Sequence, residues 1–342
     1  MDFGLFNQFN IREGADYHAT LKEWLDLAVE SEKSGMDSFW FGETHFRPNR
    51  SMLSSPLIGA SAVAARTKTI KVGTAVQVLP LAEPLRIAEE AALVDHLSDG
   101  RLVFGVGRSS FRDSYEGFNI DYEESRGRFL ESLEIIQKAW ADEPFSYQGE
   151  YYTVNNVSVV PKPFQQPGPP IRMAVESLDT FPLAGSLGLP IFIRHQMPVD
   201  QIRDLLGQYR EAREKAGYSG PNDVILQIPV YVADSRDQGI NDPKASVMQA
   251  QARRSLEQLE ASANDQETVD RQRRMREGGY ESFLNRAAFG TPEMVAERLQ
   301  MYVDEWGITG FALDPNNGGQ IPQVKVLNSV RLLMEKVAPK FK

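Results

Sequence analysis

Short apolar runs alternate with longer amphipathic ones along most of the chain. Runs 2–9, 37–43, 70–79, 101–107, 171–175, 189–193, 223–233 and 310–315 read as strands. Between them, apolar residues recur at helical spacing in 19–35, 54–67, 83–100, 122–142, 177–188, 200–217, 291–307 and 323–339. Local signals agree with these helices. Pro56 suits a first turn, Thr291 followed by Pro292 and Glu293 reads as a cap, and Gly35 and Gly100 close two of them. Eight strand–helix units predict an α/β fold, a (β/α)8 TIM barrel with insertion segments, as one domain over residues 1–342. A doubly wound open sheet is the competitor, but NQFNIREG follows the first strand where a dinucleotide fold carries its glycine motif.

Two stretches break the rhythm. Residues 145–170 are rich in aromatic and β-branched residues, with turn signals at Gln148-Gly149 and Asn155-Asn156, and predict a hairpin-like insertion. Residues 235–276 are polar. ASVMQAQARRSLEQLEAS within them reads as a helix, but ANDQETVDRQRRMREGG has few apolar anchors. A lid near 235–290 is the functional expectation for such a segment, and a solvated helix is the alternative.

Composition adds exclusions. The net charge is −10, and no basic face for nucleic acid is expected. The chain has no cysteine, so disulfides and thiolate chemistry are absent. There is no basic leader and no apolar stretch of the roughly 20 residues a membrane helix needs, so a cytoplasmic protein without a membrane partner is expected. Four histidines lack any HxxxH pairing, and no metal site is expected.

In such a barrel, chemistry sits where strands end. Glu43, Thr44 and His45 end the second strand, and Arg108 to Phe111 follow the fourth. Val175, Glu176, Ser177 and Thr180 lie where the fifth strand enters a helix, and Arg194 and His195 end the sixth. Hydroxyls at a helix start, with an arginine on the same rim, suit an anion such as phosphate; a simple cap by Ser177 is the alternative. A glycosidase pair drawn from Glu43, Glu176 and Asp314 stays open at this point.

The block GTAVQVLPLAEPLRIAEEAALVDHLSDGRLVFGVGRSSFRDSYEGFNIDYEESRGRF (73–129), together with FGETHF, QGEYYTV, VVPKPFQQPGPPI and AVESLDT, closely resembles the bacterial luciferase-like, flavin-dependent monooxygenases. The resemblance runs from residue 2 to about 340. It implies a two-component monooxygenase. Reduced flavin mononucleotide (FMN), delivered by a separate NAD(P)H-dependent flavin reductase, would react with dioxygen to a C4a-peroxide that oxidises a small organic substrate. A minority branch uses a deazaflavin for hydride transfer, and a non-catalytic flavin binder is a further alternative.

Residue by residue, the resemblance implies a cis peptide at Ala75–Val76 under the flavin ring and phosphate contacts from Arg108 and Arg126. It places Val175, Glu176, Ser177 and Thr180 in the phosphate turn. His45 matches the second histidine of the family's Glu-His-His segment, and Thr44 stands in place of the first. An imidazole can move a proton near neutral pH, whereas a threonine hydroxyl can only hydrogen-bond. Glu43, Thr44 and His45 are therefore the catalytic candidates, and light-emitting aldehyde oxidation is not expected. Arg194, His195 and Phe111 are the substrate candidates. The rim aromatics Phe6, Phe9, Phe46, Phe111, Tyr115 and Phe311 favour an apolar or aromatic substrate. The small residues of 54–67 suit close helix approach, and a homodimer is expected.

Overall fold

The computed structural model describes residues 1–48, 50–141, 143–195, 197–261 and 279–341, and for 254–261 the helical backbone alone. Its strands are β1 (Asp2–Asn7), β2 (Ser38–Phe41), β3 (Lys71–Thr74), β4 (Gln77–Val78), β5 (Leu102–Gly107), β6 (Phe145–Gln148), β7 (Thr153–Val157), β8 (Ile171–Ala174), β9 (Ile191–Arg194), β10 (Val224–Val232), β11 (Ala288–Gly290) and β12 (Gly310–Asp314). Parallel pairing runs β12-β1-β2-β3-β5-β8-β9-β10, and β10 closes back onto β12. The result is a closed eight-stranded (β/α)8 barrel. The 70–79 run is two strands rather than one, and the Ala75–Val76 peptide between them is cis.

Strand alternation creates two cores. Phe3, Leu5, Phe39 and Phe41 face outward and pack under the helices, in the larger core. Phe6, Trp40, Phe192, Ile225 and Ala312 fill the barrel interior. Trp40 fits because its neighbours are glycines. A Cβ on Gly4 would lie 2.3 Å from its Nε1, and one on Gly73 2.2 Å from its Cζ3. Burying such a ring stabilises by roughly 1.5–3 kcal/mol only where that room exists.

β6 and β7 form an antiparallel hairpin beside the barrel. Glu131, on helix Ser125–Trp140, accepts the backbone N–H groups of Glu150, Tyr151 and Tyr152 and so ties down its tip. Asn155-Asn156, a turn signal in the sequence, lies inside β7 instead. Asn156 takes a left-handed φ of 47° near the register shift between the two strands, which is how asparagine relieves an irregular ladder.

Of the expected lid at 235–290, residues 262–278 lie outside the described residues. Its flanks are built into the fold. Gly239 packs on Gly290 at the end of the β10–β11 ladder. Ser246 donates to the Asn317 carbonyl and accepts from the Gln320 N–H.

Helix Pro56–Ala64 turns Gly59, Ala60 and Ala64 inward; a Cβ on Gly59 would sit 2.8 Å from the Phe41 ring. Its smallness on that side therefore serves the barrel, while Ile58 on the same helix is 70% exposed.

Candidate functional site

Above the aromatic floor of Phe6, Trp40 and Phe192, the barrel wall becomes small. Ala75, Val76 and Ala174 pack on that inner cluster yet stay partly exposed, which marks a recess at the carboxyl ends of the strands. Gly107 belongs to the same wall: a Cβ there would meet the Val76 side chain at 2.6 Å. The cis segment is held from both sides, by Ala75 N–H to the Phe41 carbonyl (2.7 Å) and Thr74 Oγ1 to the Gly105 carbonyl (2.6 Å). A flat, largely apolar ring system fits such a wall.

Beside it, Glu43 has a side chain only 3% exposed. It accepts from Gln77 Nε2 at 2.7 Å and from the Val78 N–H at 2.8 Å, and its Oε1 lies 2.7 Å from His45 Nε2. Burial pushes its carboxyl above the ordinary range, against the pull of His45, Val78 and Gln77. The His45 ring stands edge-on to Phe118 at 4.9 Å. Thr44 gives its backbone N–H to the Leu53 carbonyl, with its side chain partly exposed. Glu43 thus anchors β4 and orients His45. Gln77, which completes this set, was not singled out from the sequence. A lone amide inside an apolar strand run was the available signal, because a buried polar group needs a partner.

The second group lies between β5 and β8. Arg126 Nη1 is 2.9 Å from Asp179 Oδ2, and Arg108 Nη2 is 3.9 Å from the same oxygen. Ser177 Oγ donates to Asp179 Oδ1 at 2.6 Å. Thr180 Oγ1 accepts the N–H groups of Glu176 and Ser177, each at 3.2 Å. Ser177 therefore does not cap the helix with its hydroxyl, and Arg126 pairs across space with a residue 53 positions away. The Ser177 hydroxyl, and after it the two arginines, hold the Asp179 carboxyl below its usual value. Val175 is buried, with its N–H on the Phe192 carbonyl. Glu176 is paired with Arg194 at 2.9 Å. Tyr115 donates its hydroxyl to the Arg108 carbonyl and so fixes the loop that carries this arginine. Asp179 was missed as a site residue, and Tyr115, expected as a substrate-facing aromatic, serves the loop instead. An anion-site reading of ESLDT leaves no obvious place for a carboxylate.

The substrate candidates separate. Arg194 ends β9 facing the turn just described. His195, one residue on, alternates to the outside. Its Nδ1 is 2.7 Å from the Tyr302 hydroxyl, and its ring stands edge-on to the buried Trp306 at 5.2 Å. Burial, reinforced by Arg286 and Arg298, lowers its pKa to about 4. Phe111 lies under the guanidiniums of Arg47 and Arg50, at 4.2 and 4.4 Å, and clasps two rim loops. Of the rim aromatics, Phe9, Tyr115 and Phe311 are fully buried and offer no face to a substrate; Phe46 is 60% exposed.

The family model of the luciferase-like monooxygenases matches residues 1–310. The chain belongs to this family. Among relatives, this luciferase-like chain is 28% identical to the oxygenase component of the flavin-dependent trigonelline monooxygenase of Acinetobacter baylyi, over 63% of this chain and 60% of that protein. It is 26% identical to limonene 1,2-monooxygenase of Rhodococcus erythropolis, over 100% of this chain and 87% of that protein. The chain spans about half the length of the first curated relatives it matches, 54% of each. Among solved structures, it superposes on the oxygenating constituent of 3,6-diketocamphane monooxygenase from Pseudomonas putida, in complex with FMN, with a TM-score of 0.84, 19% identity and coverage of 99% and 98% of the two chains. Among the described residues, no helix is long and apolar enough to cross a membrane, and no group of three acidic or histidine side chains is arranged to hold a metal.

Proposed function

We propose that this luciferase-like protein is the oxygenase of a two-component system that uses reduced FMN and dioxygen to oxidise a small organic substrate. One observation carries the reading. The small-walled recess at Ala75–Val76 and the arginine pair Arg108 and Arg126 share one rim of the barrel. A flat ring and a phosphate on one molecule need that combination, and a glycosidase does not.

Arg108, Arg126, Ser177 and Thr180 would hold the phosphate, with the Val175–Glu176 backbone beside it. Ala75 and Val76 would support the ring. Bound reduced flavin would supply the electrons that activate dioxygen. The chain's own part is to position the flavin and keep water out. Glu43 Oε1 and His45 Nε2 stand 2.7 Å apart next to the recess and would position the imidazole there. Thr44 contributes only a hydrogen bond. Phe46, Phe118 and Arg194 border the space where a substrate would approach.

The relative named as an oxygenase component supports a separate flavin reductase as partner. The exposed Ile58, Leu93 and Leu97, on two adjacent helices, support a homodimer.

Stopped-flow spectroscopy tests the proposal: protein with photoreduced FMN is mixed with oxygenated buffer. Reoxidation much slower than that of free flavin is the expected result. Reoxidation at the free-flavin rate despite demonstrated binding would point instead to deazaflavin hydride transfer or to flavin binding without catalysis.

A further inference from the structure

The four polar side chains assigned to the phosphate do not stand open. Three of them converge on one carboxylate. Asp179 Oδ2 takes Arg126 at 2.9 Å and Arg108 at 3.9 Å, and Oδ1 takes the Ser177 hydroxyl at 2.6 Å. The adjacent Glu176 likewise occupies Arg194. Asp179 precedes helix Thr180–Ser186, but its side chain makes no cap to it, and it is 47% exposed. The carboxylate is spent on the two arginines and on Ser177 rather than on a cap to the helix.

We propose that Asp179 is a specificity-determining residue, a built-in competitor that weakens the grip on the flavin's phosphate. The inference rests on the flavin reading above. A phosphate between the two guanidiniums must either turn the carboxylate out to solvent or sit beside a like charge. Both reduce the net gain of the phosphate contacts, because the Arg126 and Ser177 bonds replace ones already made and Arg108 already lies in an ion pair with the carboxylate. The flavin ring is not involved. Asp179 therefore acts on the phosphate-bearing flavin and leaves a phosphate-free flavin untouched. A loosened phosphate suits an enzyme that must exchange its flavin with a reductase at each turnover.

Equilibrium titrations of the full chain with FMN and with riboflavin, on wild type and on Asp179→Asn, test this. Asparagine keeps the shape and an acceptor for Ser177 while removing the charge. FMN should bind about tenfold tighter to the variant, riboflavin should change by less than about twofold, and inorganic phosphate should compete with FMN more strongly. Asp179→Ala should move FMN in the same direction. Equal shifts for both flavins, or weaker FMN binding in both variants, would overturn the proposal and make Asp179 a positioner of the arginines. Wild-type protein that binds neither flavin would instead overturn the flavin reading itself, and this inference with it.

Discussion

Glu43 reaches across from the loop after β2 and accepts the Val78 backbone N–H at 2.8 Å, so a buried carboxyl holds the segment just past the cis Ala75–Val76 bond. It does so at the cost of burial, which raises its proton affinity in the folded state. Folding then takes up protons on this group. Its contribution is full at pH values below the ordinary carboxyl range and is lost as the pH rises through the raised value. Glu43→Gln should lower the melting temperature, by an amount equivalent to about 1–3 kcal/mol at low pH. The gap to wild type should narrow as the pH rises. A gap that widens with pH would mean that Gln77, Val78 and His45 keep the carboxylate ionised.

Arg108→Ala and Arg126→Ala each remove a guanidinium from the same anion position. FMN affinity should fall by about 1.5–3 kcal/mol in each, with riboflavin affinity unchanged. Isothermal titration checks this. FMN affinity that does not move in either variant would sink the phosphate assignment.

His195 is neutral in the folded protein, with its pKa lowered from 6.5 to about 4 by burial. The folded state therefore binds fewer protons than the unfolded chain. Its contribution is present above pH 6.5 and is lost as the pH falls toward 4, by roughly 3 kcal/mol at most. Thermal unfolding of His195→Gln between those limits should be flatter than wild type. Identical pH profiles would place the titration elsewhere.

Leu93 and Leu97 are 50% and 56% exposed on one face of helix Pro84–Leu97, and Ile58 on the adjacent helix Pro56–Ala64 is 70% exposed. Exposed apolar patches of this kind mark contact surfaces. Leu93→Glu with Leu97→Glu should convert a dimer to a monomer in sedimentation equilibrium while leaving the circular dichroism unchanged. A wild type that already sediments as a monomer would remove the homodimer from the picture.

Much of the fold could be read directly, since strand runs and helix periodicity are local. Each of the eight barrel strands lies within or beside a run seen in the chain. The 70–79 run was legible as a strand but not as two, because the break at Ala75–Val76 came from resemblance rather than from pattern. Arg194 and His195 show where pattern fails differently. Arg194 ends β9 and His195 follows it, but one residue of alternation sends the first to the rim and the second against Tyr302 and Trp306.

The chain by itself determined the barrel, the rim on which chemistry can sit and the family to which it belongs, because these rest on short-range periodicity and on contiguous motifs. Tertiary structure alone decided which side chains meet there. Gln77 on Glu43, Tyr115 on the Arg108 carbonyl and Asp179 between two arginines are separated by 34, 7 and up to 71 positions in the chain. Whether two such groups pair depends on how the barrel closes and which way each strand-end residue points. No local pattern encodes that, since the energy of a buried or shared charge is set by neighbours that folding brings together.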